Sequence, residues 1–153
     1  MLRTTKPRRA DHRPVRPRVA IALAVGLLIV VAFQAALTLG APLGAAAQGG
    51  ANPGRLPDVN RLVTGVGAVV WLCAALVVLA RGGRALVPLP HAIARVGTWL
   101  VTALLGSGVL LNCLSSSPWE RFGWAPFTLV MLILGAVLAR SGPPGHRGVS
   151  GLV

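Results

Sequence analysis

Four long apolar runs, Val19–Leu39, Leu62–Ala80, Val96–Leu114 and Phe122–Ala139, fill most of this 153-residue chain, each about 18–21 residues long. A helix needs about 20 apolar residues to cross ~30 Å of hydrocarbon. A water-soluble bundle of this size would show a polar stripe on each helix at the 3.6-residue period. The stretches Leu23–Phe33 and Val66–Leu79 contain no such stripe. Charged residues make up 12% of the chain, against about 25% in ordinary soluble domains. The fold class is therefore all-α: a four-transmembrane-helix bundle of two antiparallel hairpins. Spans at about 19–39, 62–80, 96–114 and 122–139 form one domain, 19–140, between tails 1–18 and 141–153 that are expected to be disordered.

Basic residues alternate across these runs. Seven of the fifteen Lys/Arg precede the first run, three (Arg81, Arg84, Arg95) lie between the second and third, and two (Arg140, Arg147) follow the fourth. The other side receives Arg55, Arg61 and Arg121, together with the acids Asp58 and Glu120. Basic residues near span ends are retained in the cytoplasm. Both termini are thus expected in the cytoplasm of a multi-pass protein of a bacterial cytoplasmic (inner) membrane. Fourteen arginines against the single Lys6, with abundant Ala, Gly, Val and Pro, suggest a GC-rich bacterial genome. A basic start followed by an apolar run also describes a signal peptide, but this run exceeds the 7–15 residues of a signal core and reads as an uncleaved first helix.

The formal charge of +12 raises the question of nucleic acid. Residues 1–18 carry no aromatic side chain and three prolines, whereas nucleic-acid binding calls for stacking aromatics or a folded basic face. The expected partner is instead the bilayer, with anionic lipid contacting the tail at about 1 kcal/mol per basic residue near the surface. A membrane-protein partner or a homo-oligomer is a further expected association, and no nucleic acid is. Small residues four apart, such as Ala22/Gly26, Thr102/Gly106 and Gly135/Ala139, permit close helix approach and are expected to serve packing within the bundle.

Polar groups inside the runs are few, so each carries weight. Gln34 and Asn112 lie in the outer halves of helices one and three. An unpaired amide in hydrocarbon costs several kcal/mol, so both are expected to face the interior and bond backbone, water or each other. The segment Asn112–Pro126 concentrates the chemistry, with Trp119 and Trp124 bracketing Glu120 and Arg121 in the manner of an interfacial aromatic belt. Glu120 reads there as a solvated interfacial charge. Cys73 and Cys113 differ too far in depth for a disulfide and are expected as buried small hydrophobes. His12, His91 and His146 are isolated, with no second ligand at i+3 or i+4, so no metal site, catalytic residue or cofactor is implied.

FQAALTLGAPLGAAAQGG (Phe33–Gly50) with Leu56–Pro57, and the pattern N-x2-S-x-S-x2-E-x3-W-x-P formed by Asn112, Ser115, Ser117, Glu120, Trp124 and Pro126, resemble a family of small uncharacterised bacterial four-helix integral membrane proteins. The chain departs from that pattern at Gln48, where an aromatic residue is usual, and at Ser116, where a basic residue is usual. The resemblance implies a four-span architecture and no particular activity. Both marks fall on the outer side of the expected topology. The candidate polar cluster is accordingly Gln34, Arg61, Asn112, Ser115, Ser117 and Glu120; Asn112, Ser115, Ser117 and Glu120 are expected to hold the Gly/Pro-rich loop 40–60 over the bundle mouth, with Arg61 as the partner of Glu120. The expected function is that of a non-catalytic accessory or structural membrane protein. A small channel or transporter subunit, and a membrane-embedded enzyme, are the alternatives.

Overall fold

A computed structural model describes residues 16–84, 86 and 88–142. Among these the chain is all-helical: α1 (Pro17–Thr38), α2 (Asp58–Arg81), α3 (His91–Leu114) and α4 (Ala125–Ala139), the last entered through a π-helical turn, Glu120–Trp124. All four are long and apolar enough to cross a membrane when α4 is counted with its π turn. Within the most apolar window of each span, only 22–33% of residues are buried inside the bundle. Large side chains such as Ile29, Val69, Leu110 and Ile133 face outward. An outer surface this apolar is stable only against lipid, and the protein is a multi-pass membrane protein.

Sequential helices pair as antiparallel hairpins, α1 with α2 and α3 with α4, and lesser contacts of α2 with α3 and α1 with α4 close the ring. The core is a stripe taken from each helix, including Leu23 and Leu27, Ala75 and Val78, Leu105, and Leu138. Small residues set the spacing: a Cβ on Gly26 would stand 3.0 Å from Met131 Sδ, and one on Gly135 would stand 2.9 Å from Thr102 Oγ1. Ala22, by contrast, points outward. Cys73 and Cys113 are free and exposed on the outside of the bundle, a correction to their expected burial. Cys73 lies off the buried stripe Thr64, Ala74, Ala75 and Val78 of α2, and Cys113 lies beyond the stripe of α3.

Three helices begin ahead of their apolar stretches, α1 at Pro17, α2 at Asp58 and α3 at His91, five residues before Val96. Helix α1 begins at Pro17, where the missing N–H is not needed, so Arg18 belongs to the helix. Helix α2 begins at Asp58, four residues before Leu62, with an acid in its positive first turn. The expectation for the tails otherwise falls on residues 1–15 and 143–153, outside the described residues.

At the end of the bundle where α2 and α4 finish, buried Arg81 donates through Nη1 to Gly142 O (3.0 Å) and His91 Nε2 (3.1 Å), and through Nη2 to Ser141 O. One guanidinium thus ties the end of α2 to the start of α3 and to the chain just beyond α4. A cation there also complements the negative C-terminal end of α4. Ser141 and Gly142, in the tail expected to be disordered, are held by this clamp and by Ser141 Oγ donating to Leu138 O at 2.6 Å.

At the same end the chain just beyond α2 lies close against α1: a Cβ on Gly82 would stand 2.3 Å from Ala20 Cβ. Neither atom sits on a flexible side chain. Gly82→Ala should therefore lower stability by about 1–3 kcal/mol through overpacking, read as a reduced thermal midpoint in detergent. Gly123→Ala, where nothing lies within 4 Å of the added carbon, should leave that midpoint nearly unchanged.

Candidate functional site

The opposite end is built around Ser117 and Glu120. Helical turns begin at Pro118, and the residues Ser117-Pro118-Trp119-Glu120 form a capping sequence: a serine at the cap, proline at the first helical position, glutamate at the third. Ser117 Oγ accepts from Glu120 N at 3.4 Å. In a full capping box the glutamate would reach back to the cap's own N–H. Here that N–H donates to Ser115 Oγ at 3.0 Å. Glu120 is thereby left to accept from Gly49 N through both oxygens, at 3.1 and 3.2 Å.

This contact reaches the loop between α1 and α2, which is folded as two short 3-10 turns, Gly44–Ala46 and Gln48–Gly50. Gly49 has φ of +76°, a left-handed conformation that turns its amide toward Glu120 and that glycine adopts without a Cβ penalty. Gln48 shares that region at φ +53°; its amide is paired with Asn60 in both directions, as donor to Asn60 O and acceptor from Asn60 Nδ2. Ser117 Oγ donates to Ala45 O at 2.6 Å, and Ser116 Oγ donates to Gly49 O at 3.2 Å. Beneath these bonds Ala47 and Leu56 pack on Leu37 and Phe33 in a small second core. The loop is a roof fastened by hydrogen bonds to the segment Ser116–Glu120 that leads into α4, and to α1 by apolar contact.

Under the roof lies a cavity of about 320 Å³. Its walls include Gln34, Asn112 and Glu120, the aromatic rings of Phe33, Trp71 and Trp124, and apolar side chains of which Leu105 and Met131 lie deepest in the core. Trp124 packs against Phe33 with ring centroids 4.7 Å apart and against Phe127 edge-on at 5.6 Å. The π turn that carries Trp124 ends two residues before Pro126, whose missing N–H and ring crowding disfavour a regular helical turn at that point.

The six residues of the expected cluster separate. Ser115, Ser117 and Glu120 form the fastening; Gln34, Asn112 and Glu120 face the cavity. Arg61 joins neither. It pairs with Asp58 one turn earlier at 3.0 Å and donates through Nε to Thr38 O at 2.9 Å, a cation at the C-terminal end of α1. That replaces the expected Arg61–Glu120 pair. Gln34 and Asn112 do not bond each other: Asn112 Nδ2 donates to Thr128 Oγ1 at 3.3 Å, and Gln34 Oε1 is buried without a partner. Glu120 is 8% exposed, so it is no solvated interfacial charge; the roof removes it from water. Trp119 is exposed as a belt residue would be, while Trp124 turns inward. Gly49, Ala45 and Trp71 carry no chemistry that singles them out in the sequence; the Ser-Pro-x-Glu cap and the Gly-Gly pair are the local signals of a fastening.

Among the described residues no group of three or more His, Cys, Asp or Glu side chains is placed to hold a metal ion. Comparison with protein-family models, with curated proteins and with solved structures found no match.

A hydrogen bond to a buried charged group contributes about 1.5–3 kcal/mol. Glu120→Ala should therefore raise the open population of the roof about tenfold or more. The expected readout is faster tryptic cleavage after exposed Arg55 in intact protein. Ser116→Ala, which removes a bond from an exposed hydroxyl, should change the cleavage rate little.

Proposed function

We propose that this is a non-catalytic accessory protein of a bacterial cytoplasmic membrane, acting by binding rather than by turnover or conduction, with residues 16 and 142 toward the cytoplasm and the roofed end outside. The observation that carries this reading is the dry middle of the bundle. Between the Arg81 clamp and the cavity the core is aliphatic, set by residues such as Leu23, Leu27, Val78 and Leu138. The buried hydroxyls there are already engaged within their own helix, Thr98 Oγ1 with Ala94 O at 2.7 Å and Thr102 Oγ1 with Thr98 O at 2.8 Å. A conducted ion needs polar groups that replace its hydration across the full thickness, and intramembrane charge commonly marks such a route. The cavity, by contrast, opens from the roofed end and is floored by Leu105 and Met131 of the main core, beyond which the aliphatic packing closes it. The distribution of basic residues supports the orientation.

Two measurements test this. Purified protein in liposomes should give the same flux of sodium, potassium and chloride as empty liposomes; reproducible flux abolished by Gln34→Leu or Asn112→Leu would make it a small channel. A reporter active only outside the cytoplasm should be silent when fused after Val153 and active when inserted near Asn52, and the reverse result would invert the orientation.

A further inference from the structure

We infer that the cavity beneath the roof is a binding site for a small organic ammonium ion, a primary or secondary amine held between the Glu120 carboxylate and the Gln34 side-chain oxygen. The inference rests on the reading of the protein as one that binds. Glu120 is buried, and among the described residues it forms no ion pair. Neighbouring Arg121 sends its guanidinium to Ser115 O at 2.7 Å, and Arg61 is engaged with Asp58 and Thr38. A single N–H, that of Gly49, is shared by both carboxylate oxygens, which leaves acceptor capacity on a group able to take about four hydrogen bonds. A buried carboxylate in that condition favours a cation beside it.

The same cavity presents Gln34 Oε1, buried and unpartnered. Asn112 uses its Nδ2 as donor to Thr128, so its oxygen is a further acceptor. Among the described residues no Lys, Arg or His lines the cavity. The wall therefore offers oxygens and lacks cationic donors, a match for a ligand that brings both positive charge and N–H groups. Phe33, Trp71 and Trp124 supply ring faces that attract an organic cation, and Leu105 and Met131 supply an apolar floor for its carbon skeleton. A bare sodium or calcium ion would instead require six or more oxygens at short range. A quaternary ammonium would satisfy Glu120 and the rings but could donate nothing to Gln34. A volume of about 320 Å³ sits at the lower end of small-molecule sites, which sets the ligand at the size of an aryl-alkyl amine.

The test uses the full chain in a neutral maltoside detergent, with 2-phenylethylammonium as probe, its neutral isostere 2-phenylethanol, the N,N,N-trimethyl analogue, and calcium chloride. Binding is followed by titration calorimetry against protein-free micelles. The amine should bind about tenfold or more tighter than the alcohol, the strength expected of a charge-assisted contact, and tighter than the trimethyl analogue. Glu120→Gln should reduce amine affinity to that of the alcohol. Because that variant also loosens the roof, Gln34→Leu provides the second arm: it removes no fastening bond, and it should weaken the amine several-fold while leaving the alcohol unchanged. Equal affinity for amine and alcohol in the unaltered protein, amine affinity unmoved in both variants, or tighter binding of calcium than of the amine would overturn the inference. Amine uptake into proteoliposomes would refute the non-conducting reading and leave the ammonium site standing. Absence of both binding and flux would refute the site and leave that reading intact.

Discussion

Polar groups inside hydrocarbon have no water to bond, and the arrangement of this bundle follows from that constraint. Polarity is cleared from the middle and collected at two ends, each closed by one charged side chain that bonds backbone. At one end Arg81 gathers the carbonyls of Ser141 and Gly142 with His91. At the other, Glu120 gathers the amide of Gly49. The signs are matched to the partners, since a guanidinium can only donate and an ionised carboxylate can only accept. Charge-assisted bonds of this kind are roughly twice as strong as neutral ones. Two contacts of this type fasten what four smooth apolar helices would otherwise leave free to slide.

Both ends keep a buried polar atom without a partner among the described residues, Arg81 Nε at one and Gln34 Oε1 at the other, but the acceptors at the roofed end are the less satisfied. Arg81 has several backbone and side-chain acceptors, whereas Glu120 has one N–H for two oxygens, and Gln34 Oε1 has none. Close approach of helices makes room for this: a Cβ on Gly67 would stand 3.3 Å from Gln34 Nε2, so the amide lies against α2 where a larger residue would displace it. The rings of Trp71 and Trp124 keep the surroundings apolar, which raises the cost of leaving such groups unpaired. Because Glu120 both holds the roof and faces the cavity, the order of the roof and the occupancy of the cavity are physically linked.

The segments Phe33–Gly50 and Asn112–Pro126, some seventy residues apart, meet in space. Ala45 with Ser117, Gly49 with Glu120, and Phe33 with Trp124 are direct contacts between them. That Ser117 and Glu120 would hold the loop was legible in the chain; which loop atoms they take, Ala45 O and Gly49 N, and that Arg61 stays out of the contact, was not. Arg61 shows why: by charge alone it suits Glu120, yet Asp58 lies one helical turn away and the end of α1 presents a free carbonyl nearby. Local geometry decided between two electrostatically equivalent partners. Cys73 shows the same limit in the core, since a uniformly apolar helix does not reveal which of its faces will be inside.

By itself the sequence determined the number of spans, their approximate ends and the absence of charge from their centres, because run length and hydropathy respond to the solvent and not to particular neighbours. It also determined that the loop 40–60 would be irregular, since its glycines and prolines break helices locally. Tertiary structure alone decided that Glu120 would be buried, that Arg81 would bridge three segments, and that Gln34, Asn112 and Trp71 would share one cavity. Each of these depends on distances between helices that are far apart in the chain. Helix rotation and register set those distances, and a chain whose helices are apolar all round leaves both to packing.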